Sequence, residues 1–145
     1  MANLYPVNVN FVSSLNNSEY EFKSTYAYDF ESKTLTKNID GTVKKLSVFD
    51  SYVQWCLKAL LTSRYCYPIY DNYYGCDKID INNIDYEALK LEIKRTVTEC
   101  LKVHPLTKDV SNFDFEFRDE EIYYTFDLTS TLGSSATLNS TLILR

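Results

Sequence analysis

His104 is the single histidine of the chain and stands just before Pro105, at the end of a helical pattern. A cation there suits the helix dipole, and an exposed position is the ordinary one. No Ser or Cys stands in a nucleophile context such as G-x-S-x-G, so a triad built on His104 has little support. Carboxylates are plentiful, and two at a suitable separation are enough for glycoside hydrolysis. However, Asp119, Glu120 and Glu121 read as a hairpin turn, and Asp114, Glu116 and Asp127 read as the wet face of a sheet. Nothing marks a carboxyl lodged in an apolar pocket, the setting that raises a pKa for general-acid work. The four cysteines, at 56, 66, 76 and 100, include no C-x-x-C pair, and no acidic calcium loop occurs. No metal or other cofactor is expected. A Cys66–Cys76 bridge is compatible with a loop, but free thiols are the expectation for a protein made in the cytosol.

Arg64 stands apart. It follows an apolar helical pattern and Thr62, and opens a stretch that carries Tyr65, Tyr67, Tyr70, Tyr73 and Tyr74. A guanidinium at that place can bond the last carbonyls of its own helix, stack on tyrosine faces or reach a partner. Residue types and spacing leave these readings open.

The elements that must position these residues are contained in 145 residues of formal net charge −5, a length suited to one compact domain. The deficit of cations argues against nucleic-acid binding. Three Gly and three Pro exclude a flexible or collagen-like chain. The N-terminal segment lacks the features of a signal peptide, and no run reaches the roughly 18 apolar residues of a membrane span. A soluble, cytosolic protein is expected. The 13 Tyr and 8 Phe suit wet contact surfaces, because tyrosine joins an apolar body to a polar tip.

Residues 1–24 read as an arm, with Tyr5, Val7, Val9 and Phe11 as a short strand, and residues 25–145 as a single domain. TYAYDF, with Tyr26, Tyr28 and Phe30 on one face, and TLTKNI predict a hairpin or meander that turns again at Asp40–Gly41. Ser47 and Asp50 fit a capping box at the start of a helix fading near Ser63. Its predicted stripe is Phe49, Tyr52, Val53, Cys56, Leu57, Leu60 and Leu61, with Trp55 off centre. An irregular tyrosine loop follows, with Pro68 disfavouring helix and Gly75 offering a turn. A second helix opens at Asp85, expected to cap it, buries Tyr86, Leu89, Ile93, Val97 and Leu101, and ends before Pro105. The last third predicts a meander: Phe113, Phe115 and Phe117 on one inward face, then Ile122, Tyr124, Phe126 and Leu128, then Ala136, Leu138, Leu142 and Leu144. The fold class is α+β, a small antiparallel sheet packed against two main helices. The first helix is expected to lie on the face made by Phe113, Phe115, Tyr124 and Phe126.

The segment LLTSRYCYPIYDNYYG resembles the Leu-x-Thr-Glu-Arg-Tyr … Tyr-x-Ile-Tyr … Tyr-Gly signature of sheath-initiator proteins, baseplate wedge components of contractile phage tails and phage-tail-like bacteriocins of Gram-positive hosts. Thr62, Arg64, Tyr65, Tyr67, Ile69, Tyr70 and Gly75 match, while Ser63 replaces the usual Glu. The YDF hairpin, the flanking helices and the closing meander agree in order over residues 25–145. The resemblance implies a structural protein and not an enzyme. It implies a wedge-core contact through Thr62, Arg64, Tyr65, Tyr67 and Tyr70. It also implies C-terminal strands on which the first ring of tail sheath assembles. The strand from Ala136 onward would then present Thr137, Asn139, Thr141, Ile143 and Arg145 to the sheath. The implied partners are baseplate wedge and tail-sheath proteins, with tube or hub proteins beside them, in several copies around a six-fold baseplate and without nucleic acid or membrane. Assembly in the bacterial host cytoplasm and residence in the baseplate of a virion or tail-like particle follow. A lysozyme activity ascribed to the wider family makes a peptidoglycan hydrolase the alternative.

Overall fold

The computed structural model describes residues 23–81 and 84–143; the expected arm strand at Tyr5–Phe11, and Leu144 and Arg145, lie outside them. The chain runs β1 (Tyr28–Asp29), β2 (Thr34–Leu35), α1 (Val48–Leu61), α2 (Tyr86–Lys102), β3 (Thr107–Arg118), β4 (Glu121–Ser130) and β5 (Ser135–Ile143). The fold is α+β, with β1–β2 as one small sheet and β3–β4–β5 as an antiparallel meander.

The N-terminal unit is tied by its middle residues. Ala27 N–H donates to Lys44 O, Lys44 N–H to Thr36 O, and Thr36 N–H to Ala27 O, all at 2.8–2.9 Å. This closed triangle of backbone bonds buries Ala27, while Tyr26 and Tyr28, expected to share one face, are both exposed. The Gln54 amide of α1 then acts as a substitute strand: its Oε1 accepts from Tyr28 N–H at 2.8 Å and its Nε2 donates to Tyr26 O at 3.0 Å.

At the start of α1, Ser47 Oγ accepts from Asp50 N–H at 3.1 Å, satisfying one orphan donor. The reciprocal half differs from a capping box. The Ser47 hydroxyl donates to Asp50 Oδ2 at 2.7 Å, so the carboxylate bonds the cap side chain. The buried line of α1 is Tyr52, Cys56 and Ala59, with Ser51 beside it; Leu61, expected in the stripe, is 64% exposed. In α2 the buried line is Leu89, Ile93, Thr96, Val97, Cys100 and Leu101. Tyr86 is exposed instead of buried, and Asp85 sits at the N-cap without a side-chain bond to the helix.

The helix lying against the sheet is α2, packed on β3, and α1 in turn packs on α2. α1 reaches the sheet as well: Tyr52, Cys56 and Ala59 share one core cluster with Ile122, Tyr124 and Phe126 of β4. The closer contact of α2 follows from chain order, because α2 feeds straight into β3 through the 103–106 turn. Phe117, expected inward, reaches the far end of β3 and is 38% exposed, with the Tyr86 ring 4.9 Å away.

In β3 the inward residues are Val110, then Phe113 and Phe115. A spacing of three cannot keep one face in a strand of period two. The register accordingly slips between Ser111 and Asp114, where Asn112 takes φ +53°. β4 places Ile122, Tyr124, Phe126 and Leu128 in the core as the alternation predicts, and β5 follows with Leu138 buried and Leu142 half-buried. Arg118 and Glu121 pair across a two-residue turn in which Asp119 takes φ +47°.

A hydroxyl chain joins all three layers. Thr107 Oγ1 donates to Leu101 O at 2.7 Å, so the Tyr52 hydroxyl, 2.6 Å away, must donate to Thr107. His104 lies beside it, buried against Trp55 and Tyr52 with ring centroids at 4.4 and 4.9 Å. Its Nδ1 accepts from Leu106 N–H at 3.1 Å, which assigns the ring proton of the neutral imidazole to Nε2. Burial lowers its pKa from 6.5 to about 4. The expected exposed, dipole-compensating histidine is therefore a neutral core residue.

Two outcomes are expected. Phe126→Ala should lower the unfolding free energy by about 3–5 kcal/mol in urea titration, and Leu60→Ala, at a half-buried site, by less than about 2 kcal/mol. Below pH 6.5 the unfolded chain protonates His104 before the folded one does, so stability should drop as pH falls from 6.5 towards 4. The contribution is about 3 kcal/mol over that window. His104→Asn, which keeps an acceptor for Leu106 N–H, should flatten the profile there; an unchanged slope between pH 4 and 6.5 would contradict the assignment.

Candidate functional site

Thr62 and Ser63 end α1 and begin the neck of the tyrosine loop. Cys76 N–H donates to Thr62 O at 2.8 Å and Arg64 N–H to Cys76 O at 2.9 Å, a short parallel bridge that closes residues 64–75. Arg64 locks this neck from one side. Its Nε and Nη2 donate to Gly75 O at 3.3 and 3.1 Å, and Nη1 to Asp77 Oδ2 at 3.1 Å. The Arg64 side chain is only 14% exposed. Its bonds go to the far strand of the neck, so it caps the loop and not the helix that precedes it.

The neck requires glycine at 75. Gly75 takes φ +98°, and a Cβ there would stand 2.8 Å from Thr62 O and 3.1 Å from Arg64 N. Tyr65 also takes positive φ, +63°, which turns the chain outward directly after the staple.

Inside the loop the rings form a line from surface to core. Tyr67 meets Tyr70 edge-on at 6.2 Å, Tyr70 meets Tyr74 at 4.5 Å, and Tyr74 meets Trp55 at 5.4 Å. Trp55 ends the line against His104. Lys58 Nζ lies 5.2 Å from the Tyr70 ring centre, a cation–π contact from α1. Tyr65, Tyr67, Ile69 and Tyr73 are left exposed, from 56 to 86%. The structure thus divides the matched residues: Arg64, Gly75 and Tyr70 hold the loop, and Tyr65, Tyr67 and Ile69 are displayed by it. Asp77, Lys58 and Trp55 were not singled out by sequence as parts of this site. Asp77 is paired with Arg64 across 13 positions, a separation that carries no local signal.

Around the neck, the thiol–thiol hydrogen bond between Cys76 and Cys100 lowers the Cys76 pKa and, with burial, raises that of Cys100. Burial pushes Cys56 up to about 12. All four cysteines are free thiols, and Cys66 is exposed.

The second predicted surface is β5. Thr137, Asn139, Thr141 and Ile143 are all exposed, alternating with the core-facing set; Arg145 lies outside the described residues. Thr137 Oγ1 donates to Asp127 Oδ1 at 2.6 Å and Asn112 Nδ2 to Asp127 Oδ2 at 2.9 Å, bonds that hold this carboxyl below its usual range. The two predicted surfaces are neighbours. A groove of about 480 Å³ is lined on one side by Thr62, Ser63 and Asp77, and on the other by Thr141, Leu142 and Ile143.

Among the described residues, Asp29, Asp40 and Glu92 also sit below the ordinary carboxylate range, held by Ser32, Thr42 and Arg95 respectively. A general acid needs the opposite shift. No group of three or more His, Cys, Asp or Glu among the described residues converges to hold a metal, and no helix is long and apolar enough to cross a membrane.

The sequence profile of contractile injection system sheath initiators matches residues 24–133. The chain belongs to this family. The matched span contains the stapled loop, both helices, β3 and β4, and stops at the turn before β5. A comparison with curated proteins found no match. Membership makes this sheath initiator a structural component of a contractile tail or tail-like particle, one that works with sheath and baseplate proteins.

Gly75→Ala should cost about 1–3 kcal/mol, because it forces a side chain into left-handed backbone against the Thr62 carbonyl. Thermal unfolding, with Trp55 fluorescence reporting the loop's ring line, measures it.

Proposed function

We propose that this sheath initiator binds the wedge core of the baseplate through the stapled tyrosine loop and starts the sheath on the free edge of β5. Thr62, Arg64, Tyr65, Tyr67 and Tyr70 form the first contact, with Tyr65 and Tyr67 as the side chains that touch the partner. Tyrosine is enriched at the energetic centres of interfaces, since it supplies area and a directed polar group for few rotors. Arg64 acts there by holding the loop's shape. Thr137, Asn139, Thr141, Ile143 and Arg145 form the second contact. Several copies arranged around the baseplate, assembled in the host cytoplasm, complete the reading.

The observation that carries the sheath contact is the difference between the two edges of the meander. β3 is an edge broken by two register irregularities and carries Lys108, devices that discourage strand addition. β5 pairs with β4 without interruption from Ser135 to Ile143 and contains neither Pro nor Lys. Its outer row of N–H and C=O groups is a template for an added strand. The hydrolase alternative needs a cleft with two opposed carboxylates, one of them raised in pKa, and the described carboxylates favour it nowhere.

Because β5 also completes the core with Leu138, deleting it would remove the fold together with the edge. A pair of neighbouring prolines separates the two. In an antiparallel ladder, Ser140 and Thr141 direct their N–H groups to opposite sides, one to β4 and one to the free edge. Of Ser140→Pro and Thr141→Pro, only the variant that blocks the outer side should stay folded. That variant is expected to enter baseplates and fail to nucleate sheath, seen as bare tubes by negative-stain microscopy. Sheathed tails of normal length from it would overturn the β5 assignment.

A further inference from the structure

A separate groove of about 1080 Å³ runs between the N-terminal unit, α1 and the base of the tyrosine loop. Its walls are aromatic: Tyr26, Tyr28 and Phe30 on the hairpin, Trp55 on α1, and Tyr67 on the loop. Tyr26 and Tyr67 are each 56% exposed and Leu35 and Leu61 add further uncovered apolar surface. Single exposed apolar residues are ordinary, but a contiguous set lining one depression marks an interaction site.

The charge of this groove is opposite to that of the molecule. Among the described residues its lining includes Lys23, Lys33 and Lys58 and no Asp or Glu, in a chain of net charge −5. Residues 23–62 carry six lysines against four carboxylates, whereas residues 63–143 carry eight cations against fourteen carboxylates. None of the three groove lysines forms an ion pair with a described residue, although five such pairs stand elsewhere on the surface. Cations gathered at the rim of an apolar surface gain most from a carboxylate brought in by a partner, because the partner desolvates the surroundings as it docks. Five aromatic walls and only three cations suit a protein segment better than a phosphate backbone, which binds through many cations in a row.

Resting on the sheath-initiator reading above, we infer that this groove receives an acidic, apolar segment of a baseplate protein, with its carboxylates on Lys33 and Lys58 and its apolar side chains between the Tyr26, Tyr28 and Tyr67 rings. The groove shares Thr62 and Tyr67 with the tyrosine loop, so the same partner is gripped on two sides: by the displayed loop and by the charged cleft behind it. The lysines set the sign of the partner's charge, and the rings provide most of the contact area.

Carbodiimide coupling in assembled particles containing the full chain tests this, since it joins lysine amines to carboxylates in contact and mass spectrometry of the linked peptides identifies both residues. Lys33 or Lys58 is expected to be linked to an Asp or Glu of another baseplate protein. Links to Glu19 or Glu21 of the same chain, or to a second copy, would overturn the inference by naming a different occupant. In a parallel arm, the Lys33→Glu/Lys58→Glu chain should be recovered in baseplates at least tenfold less than wild type, and Lys33→Arg/Lys58→Arg at the wild-type level. Recovery of the charge-reversed chain at the wild-type level would sink the groove and leave the tyrosine-loop contact standing. Should the charge-reversed chain fail to fold, the wild-type links still decide. Absence of the wild-type chain from baseplates would overturn the underlying reading and this one together.

Discussion

The display of the tyrosine loop hangs on one ion pair and two hydrogen bonds. Arg64 fastens Gly75 O and Asp77 across the neck of a loop that has almost no regular structure of its own. A buried or half-buried guanidinium left unpaired is costly, and a planar fork that bonds two groups at once fixes their relative geometry. The neck then sets the exit direction of Tyr65, and the exit direction sets which rings face water. A lysine at 64 would supply the charge without the fork.

The loop is also anchored from within. The line of rings from Tyr67 to Trp55 ends on His104, a histidine kept neutral by burial in the turn between α2 and β3. The surface that displays tyrosines is therefore continuous with the packing that joins α1, α2 and the sheet. Rigid support of this kind lowers the entropy lost on docking, because the side chains are already ordered before a partner arrives.

The sheet solves a different problem. A three-stranded meander has two edges, and the proposed addition of a partner strand to β5 needs one edge left open and the other spoiled. The bulge at Asn112 does the spoiling, and it arises from the need to bury both Val110 and Phe113. One feature of the core thus decides which edge is available.

Much of this was legible in the sequence. Alternation specified β4 and β5, since period two has one solution when one face is apolar. Ser47 and Asp50 announced the start of α1, and the residues around Arg64 carried the family resemblance. Gly75 was legible as a turn. The partners of long-range contacts were not legible, because nothing local distinguishes Asp77 from the chain's other carboxylates until the neck closes. Helix periodicity marked Leu61 and Tyr86 as apolar but could not say that tertiary packing would leave those ends of the stripes uncovered. His104 was misplaced for the same reason: its local setting at a helix end is that of a surface cation, and only the packing of Trp55 and Tyr52 over it removes the water that a charge would need. The sequence by itself determined the elements, their order and the loop residues, through propensity, period and turn chemistry. How the two helices share the sheet, which edge stays open, and the clustering around aromatic walls of three lysines without an ion pair among the described residues were decided by the tertiary structure, because each depends on residues far apart in the chain meeting in space.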